Sequence, residues 1–384
     1  MSPVHVRFYR YKLPLVRPLV LKDKAITQRE GCIVAVETDA GVTGYGDIAP
    51  LYGFSRERLE DAVGAVREQI NVLKRRAQPD SFRAFDGLRY RDKVPPSARF
   101  GLESALLDLA AKLRKQQPCE VLSADPQSRP RICALLNGHR EETVAQALDS
   151  ASRGFAAVKL KVGRAPYLED IATVRAVREV LPESVAIRID ANRAWPLETA
   201  VQVAGAVADC GVAYIEEPVN RVEDLREFAR KSPVPLAVDE TLQEAGWHRF
   251  LEWQPSLRRG SAEAGAEGPH LAAALAARVW VIKPTLTGIP IGYLARVLRD
   301  PEFDAKIVLS SSFESRIGWV ALANVAACSE SRGLPAGLDT ASWFRSDLLH
   351  APLPIVNGLV DLAAANANAA LFDPTGWEEF VPDD

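Results

Sequence analysis

From residue 131 onward, short apolar runs at residues 132–136, 157–162, 186–190, 213–216, 236–239, 279–283 and 306–310 alternate with helical stretches. That rhythm is what a parallel sheet requires, because each parallel strand is reached by a crossover long enough to hold a helix. Seven such units, with a possible eighth at residues 336–338, predict a (β/α) barrel. A doubly wound open sheet is the alternative, although no glycine fingerprint for a dinucleotide accompanies these strands. The interval from Asp239 to Lys283 is longer than its neighbours. The excess at residues 256–270, rich in Gly, Ala, Arg and Glu, reads as an inserted surface loop that leaves His270 in solvent.

The chain before residue 131 has a different grammar. Residues 4–10 alternate weakly, and residues 32–37 are a clear strand. Asp39-Ala40-Gly41 then reads as a hairpin turn into residues 42–47. Gly44 and Gly46 are read as strand glycines, since no helix start follows them to make a phosphate loop. After Ser55, a plausible N-cap, Leu59, Ala62, Val63, Val66, Ile70 and Leu73 recur at helical spacing. A second helix runs from about Pro96 to Lys115. Strands followed by helices predict a first domain of α+β type. The strand-like run at 354–362 precedes a polar tail and is expected to return to that domain.

Composition narrows the partners. The 384 residues are 47% hydrophobic and 25% charged, with a formal net charge of −3 and the signs mixed along the chain. No broad basic field exists for nucleic acid or for a membrane surface, so the expected partner is a small molecule. No run of eighteen apolar residues occurs to span a bilayer, and the first thirty residues lack the apolar core of a secretory signal. The cysteines Cys32, Cys119, Cys133, Cys210 and Cys328 form no close pair, which fits neither a zinc site nor a disulfide framework. They are expected to be reduced and buried, as in a cytoplasmic protein.

The chemistry is carried at the strand ends. Side chains alternate across a strand, so Lys159 and Lys161 share one face, as do Arg188 and Asp190, Tyr214 and Glu216, Ala237 and Asp239, and Val281 and Lys283. If the bulky apolar set packs outward on the helices, all of these face inward, and the terminal ones stand at the carboxyl end where barrel sites lie. Alternation favours Glu216 over Glu217 as the inward acid and displaces Glu217 to the rim. Asp190, Glu216 and Asp239 on successive strands would repel one another by roughly 4 kcal/mol per pair at ~4 Å and an effective dielectric near 20. A divalent ion resolves that conflict, and an all-oxygen donor set selects magnesium or manganese over zinc. Lys161 and Lys283 flank the acids, an arrangement suited to a substrate carboxylate held between two ammonium groups. Such a site stabilises the enediolate formed when a carbon next to the carboxylate loses its proton. Either lysine could take that proton once its pKa is lowered, which Lys159 beside Lys161 would do by like-charge repulsion.

These residues resemble the enolase superfamily. The resemblance rests on Lys159-Leu160-Lys161, Asp190-Ala191-Asn192, Ile215-Glu216-Glu217-Pro218, Val238-Asp239-Glu240 and Lys283. It implies a modified (β/α) TIM-type barrel over residues 126–349 and an α+β capping domain over residues 1–125, completed by about 350–384, with Mg2+ on the three acids. Within the superfamily, Arg188-Ile189-Asp190-Ala191-Asn192-Arg193-Ala194-Trp195, Ile282-Lys283-Pro284-Thr285-Leu286-Thr287-Gly288, Ser310-Ser311-Ser312-Phe313-Glu314-Ser315 and the cap stretch from Gly44 to Ser55 are similar to the o-succinylbenzoate synthase family of menaquinone biosynthesis. That implies removal of water from 2-succinyl-6-hydroxy-2,4-cyclohexadiene-1-carboxylate. Lys161 would take the proton and then return it to the departing hydroxyl, Lys283 would stabilise the enediolate, and Ser310 would contact the substrate carboxylate. Ser312, Arg188 and Asn192 are weaker candidate contacts. A racemase or epimerase of N-acylamino acids or dipeptides is the alternative the two lysines permit, and an inactive metal-dependent binding protein is the more distant one. The oligomeric state is not encoded legibly.

Overall fold

The computed structural model describes residues 4–21, 24–76, 94–246, 249, 268–329 and 333–381. The first part is a three-stranded antiparallel sheet, β1 (Val4–Leu21), β2 (Lys24–Thr38) and β3 (Thr43–Ile48), covered by helices α1 (Leu59–Arg76) and α2 (Pro96–Arg114). β1 is much longer than its weak alternation suggests. Pro14 still pairs with Gln28, and the ladder with β2 shifts register between Pro14 and Leu19, the interval in which Pro18 falls. The hairpin turn lies where expected, with Gly41 at φ +77°.

Gly44 and Gly46 are strand glycines because α2 lies directly on β3. A Cβ on Gly44 would stand 2.2 Å from the Ala105 carbonyl oxygen, and one on Gly46 2.0 Å from that of Gly101. This contact seats the cap sheet. Arg29, buried, ties the cap together at its lower edge by donating to the carbonyls of Ala49 (2.6 Å) and Pro50 (2.8 Å).

The second part is a parallel sheet in sequential order: β4 (Ala134–Leu136), β5 (Ala157–Lys161), β6 (Ala186–Asp190), β7 (Val212–Glu216), β8 (Leu236–Val238), β9 (Val279–Ile282) and β10 (Lys306–Leu309). The eighth position is not a full strand. Residues 336–337 form single parallel bridges to Ile132 on one side and Ser310 on the other, and so join the two ends of the sheet into a modified barrel. Val158, Leu160, Ile187, Ile189, Ile215, Val238, Trp280, Ile282 and Leu309 belong to the large core beneath the helices. Tyr214, Ala237, Val279, Val281 and Val308 form a separate cluster inside the sheet. The alternation therefore sorts side chains as the strands require.

The run at 354–362 does not return to the first part. Ile355–Val356 and Leu359–Val360 form a small hairpin against the start of the barrel, where Ile132 N donates to Gly358 O and Val360 N to Pro130 O. Its glycine-containing turn lets the chain double back before it reaches the cap. The following tail does lie on the cap sheet: Phe380 N donates to Phe8 O, and Phe372 packs edge-on to Tyr45 with ring centroids 5.1 Å apart. Residues 256–267 of the expected inserted loop lie outside the described residues. Residues 269–276 form a helix, and His270 in its first turn is half-buried beside Glu244 (3.4 Å) instead of standing free in solvent.

Candidate active site

Register fixes the charged layer. Lys161 pairs with Asp190 and Asp190 with Glu216 across β5, β6 and β7, while Lys159 and Tyr214 flank Arg188 one pleat below. Asp239 and Lys283 follow directly after β8 and β9. The side chains of Asp190, Glu216 and Asp239 are wholly buried. Lys159 Nζ lies 2.9 Å from Asp190 Oδ2 and 2.8 Å from Glu216 Oε1, Lys161 Nζ lies 3.0 Å from the same Asp190 oxygen, and Lys283 is paired with Asp239. The side chain of Lys161 is 25% exposed, against 14% for Lys159 and 15% for Lys283. Lys161 is thus the most accessible of the three.

The electrostatics of the three acids are unequal. Burial pushes Asp190 toward protonation, but the ammonium groups of Lys159, Lys161 and Lys283 outweigh it and hold the carboxyl below the ordinary range. Glu216 is pushed up to about 8, by burial first and by the charge of Asp190 next. Its Oε2 is buried with no hydrogen-bond partner among the described residues. The lysines go the other way: burial disfavours their charge, yet Asp190 and Glu216 raise the pKa of Lys159, and Asp239 raises that of Lys283. Among the described residues no three Asp, Glu, His or Cys side chains converge into a finished ion cage, because each acid is turned toward an ammonium group. The donor set is nevertheless hard oxygen throughout, and Glu216 Oε2 is a buried carboxyl oxygen without a hydrogen-bond partner among the described residues. That chemistry fits a divalent cation.

Glu217 corrects the expectation of a rim residue. The chain leaves β7 with Glu217 at φ +42°, which swings its side chain away from Glu216 into the protein, where it is completely buried. There it accepts from Asp239 N (2.9 Å), Thr241 N (2.8 Å), Thr241 Oγ1 (3.0 Å) and Arg193 Nε (3.0 Å). Arg193, itself at φ +62°, also pairs with Glu244 at 2.6 Å. Together they clamp the end of β8, and with it Asp239. Neither Arg193 nor this role of Glu217 shows in the residue pattern, since both depend on left-handed backbone at non-glycine positions.

The remaining candidates separate by accessibility. Asn192 is exposed at the mouth, accepts from Lys161 Nζ (2.8 Å) and donates to Glu240 Oε1 (3.0 Å). Ser310 lies at the barrel seam, its Oγ 3.3 Å from the Gly337 carbonyl. Arg188 is 1% exposed, donates to Pro335 O (2.7 Å) and lies over the Tyr214 ring, which places it in the barrel interior one pleat below the acids. Ser312 is buried and bonded to Glu314 through both its backbone N–H (2.7 Å) and its hydroxyl (2.6 Å), and so supports the turn.

Comparison with known proteins gives the chain's relatives and its fold. Residues 4–109 match the family described as MenC, N-terminal domain, and residues 142–254 match Enolase C-terminal domain-like. An o-succinylbenzoate synthase from Klebsiella pneumoniae (strain 342) is 31% identical over 356 residues, covering 91% of this chain and 96% of that protein. One from Pectobacterium atrosepticum is 30% identical over 347 residues, covering 90% and 92%. Among solved structures, the L-Ala-D/L-Glu epimerase from Bacillus subtilis superposes with a TM-score of 0.75 at 20% identity, covering 94% of this chain and 96% of that one. The dipeptide epimerase from Enterococcus faecalis V583, complexed with Mg and a dipeptide, gives 0.71 at 20% identity, covering 93% and 96%. At that identity the structures speak to the fold alone.

Proposed function

The chain belongs to the o-succinylbenzoate synthase family of the enolase superfamily, and we propose that its own residues perform the dehydration with Lys161 as the acid–base group. The observation that carries this reading is the flanking of three buried carboxylates by Lys161 on one side and Lys283 on the other, with Lys161 the more open to the mouth. Asp190, Glu216 and Asp239 would hold the cation, and Mg2+ is the natural choice for three carboxylates, with Mn2+ a possible substitute. Bound there, the ion would offset the acids' charge and polarise the substrate carboxylate.

Neutral Lys161 takes the proton from the ring carbon bearing the carboxylate, and the electron pair passes into that carboxylate as an enediolate. Lys283, fixed by Asp239, stabilises the developing negative charge from the other side. The pair then returns to the ring and expels the neighbouring hydroxyl, which leaves as water with the proton now on Lys161. One lysine serves both steps because proton and hydroxyl leave from one face. Lys159 and Lys161 share one oxygen of Asp190, so the charge on Lys159 acts on the acid–base group at short range. Asn192 orients Lys161, and Ser310 contacts the substrate carboxylate. The five buried, unpaired cysteines favour a reducing compartment such as the cytoplasm. No helix among the described residues is long and apolar enough to cross a membrane.

The test is to incubate the protein with the cyclohexadiene acid and Mg2+ and follow loss of the diene absorbance. Conversion to the aromatic acid is expected, and an inert protein contradicts the reading. The facing lysines also suit racemisation, so exchange of an α-deuteron into N-acylamino acids or dipeptides would mark a second activity.

A further inference from the structure

Two segments that reach the mouth of the barrel are joined underneath by one carboxylate. Thr285 lies two residues after Lys283, at the start of the short helix Pro284–Thr287, and is fully buried. Ser312 lies two residues after Ser310. Glu314, 1% exposed, accepts from Thr285 Oγ1 at 2.6 Å and from Ser312 Oγ at 2.6 Å through Oε1, and from Ser312 N at 2.7 Å through Oε2. Between Ser312 and Glu314 stands Phe313 at φ +61°. A bulky residue persists in that conformation only where its surroundings over-determine it. On the far side of the turn, Ser315 donates from its backbone N–H and its hydroxyl to Asp47 of the cap, both at 2.8 Å.

A buried carboxylate is an expensive way to fill space, and apolar side chains pack a loop more cheaply. What it supplies is a fixed distance, since one group receives donors from both segments at once. From this geometry we infer that Glu314 is a positioning residue, which sets the separation between Lys283 and Ser310 by holding Thr285 and Ser312 on a single carboxylate. The inference rests on the reading that Lys283 and Ser310 meet the substrate. Glu314 itself touches neither.

Glu314→Met keeps an unbranched side chain of similar length but removes both acceptor oxygens, so Thr285 Oγ1, Ser312 Oγ and Ser312 N–H lose their common partner. Thr285→Val removes the other end of the strut, and Thr285→Ser retains the hydroxyl. The five proteins, with wild type and the Glu314→Met/Thr285→Val double variant included, are compared in diene loss at saturating Mg2+ and in Mg2+ binding by calorimetry. Glu314→Met and Thr285→Val are each expected to lower kcat about tenfold, more than they change KM, since small misplacement of a catalytic group is costly. The double variant should be little worse than either single one, Thr285→Ser should match wild type, and Mg2+ affinity should stay within about twofold. Activity of Glu314→Met within about twofold of wild type, or independent multiplication of the two losses, overturns the inference. Should Glu314→Met fail to fold, an unaffected Thr285→Val overturns it equally. A wild-type protein inert toward the diene acid overturns the underlying reading and the inference with it, an outcome distinct from active wild type with active variants.

Discussion

Glu216 and Glu217 are neighbours in sequence and equally buried, yet they inhabit opposite environments. Glu217 faces outward from the barrel axis into a bracket of Arg193, Thr241 and two backbone N–H groups, with both oxygens satisfied. Glu216 faces the axis, shares Lys159 with Asp190 and keeps one oxygen without a hydrogen-bond partner among the described residues, and burial and then the charge of Asp190 raise its carboxyl to about 8. A buried acid with its full complement of donors holds structure in place. One with an oxygen left unpartnered beside other carboxylates is open to a further cation. On the proposed reading the axial layer is the reactive region and the bracket its support.

The largest effect separates the axial layer from everything around it. Lys161→Ala should lower kcat by about 10³-fold or more with the fold intact, while Lys283→Ala, which removes charge stabilisation without removing the acid–base group, should cost about 10²-fold. Stopped-flow and steady-state diene loss compare them, and equal losses would mean that the two lysines share one role. Next comes the bracket. Glu217→Gln leaves Arg193 half-paired and two N–H groups short of charge, so urea unfolding should show a loss of about 3 kcal/mol. Little loss would mean that the bracket is not a clamp.

A further effect, spread over a pH window, concerns a third buried acid. Asp47 accepts hydrogen bonds from Tyr11 and twice from Ser315, but it has no ion pair among the described residues, and burial pushes its carboxyl up to about 7. Unfolded, it titrates near 3.8. Between those values the folded protein binds more protons than the unfolded chain, so this group makes stability fall as pH rises from about 4 to 7, by at most about 1.4 kcal/mol per pH unit. Asp47→Asn should flatten that part of the stability profile, measured by urea unfolding across the window. An unchanged slope would show that hydrogen bonds alone suffice to keep such an acid ionised.

Much of the axial layer could be read from period-two alternation, since Lys159, Lys161, Asp190, Glu216 and Lys283 each sit opposite a branched apolar neighbour that the helices cover. The strands of the barrel were legible for the same reason. Legibility fails where the backbone leaves the standard regions. Glu217, Asn192, Arg193 and Phe313 all lie at positive φ without being glycine, so spacing misplaces Glu217 on the rim and leaves Arg193 without a role. Arg188 obeys alternation, but alternation gives the face and not the depth, and one nitrogen of its guanidinium donates to Pro335 O, one pleat below the acids. The eighth strand shrank to two bridges because closing the ring needs only the pairings at Ala336 and Gly337.

The contrast between the two glutamates is tested most directly by titrating Mg2+ calorimetrically into wild type, Glu216→Gln and Glu217→Gln. Binding should be weakened about 10²-fold or more in Glu216→Gln and stay within about tenfold of wild type in Glu217→Gln, as expected of a ligand and of its support. Equal affinities in wild type and Glu216→Gln, or a greater loss in Glu217→Gln, would contradict the assignment of the axial acid as the one that holds the ion.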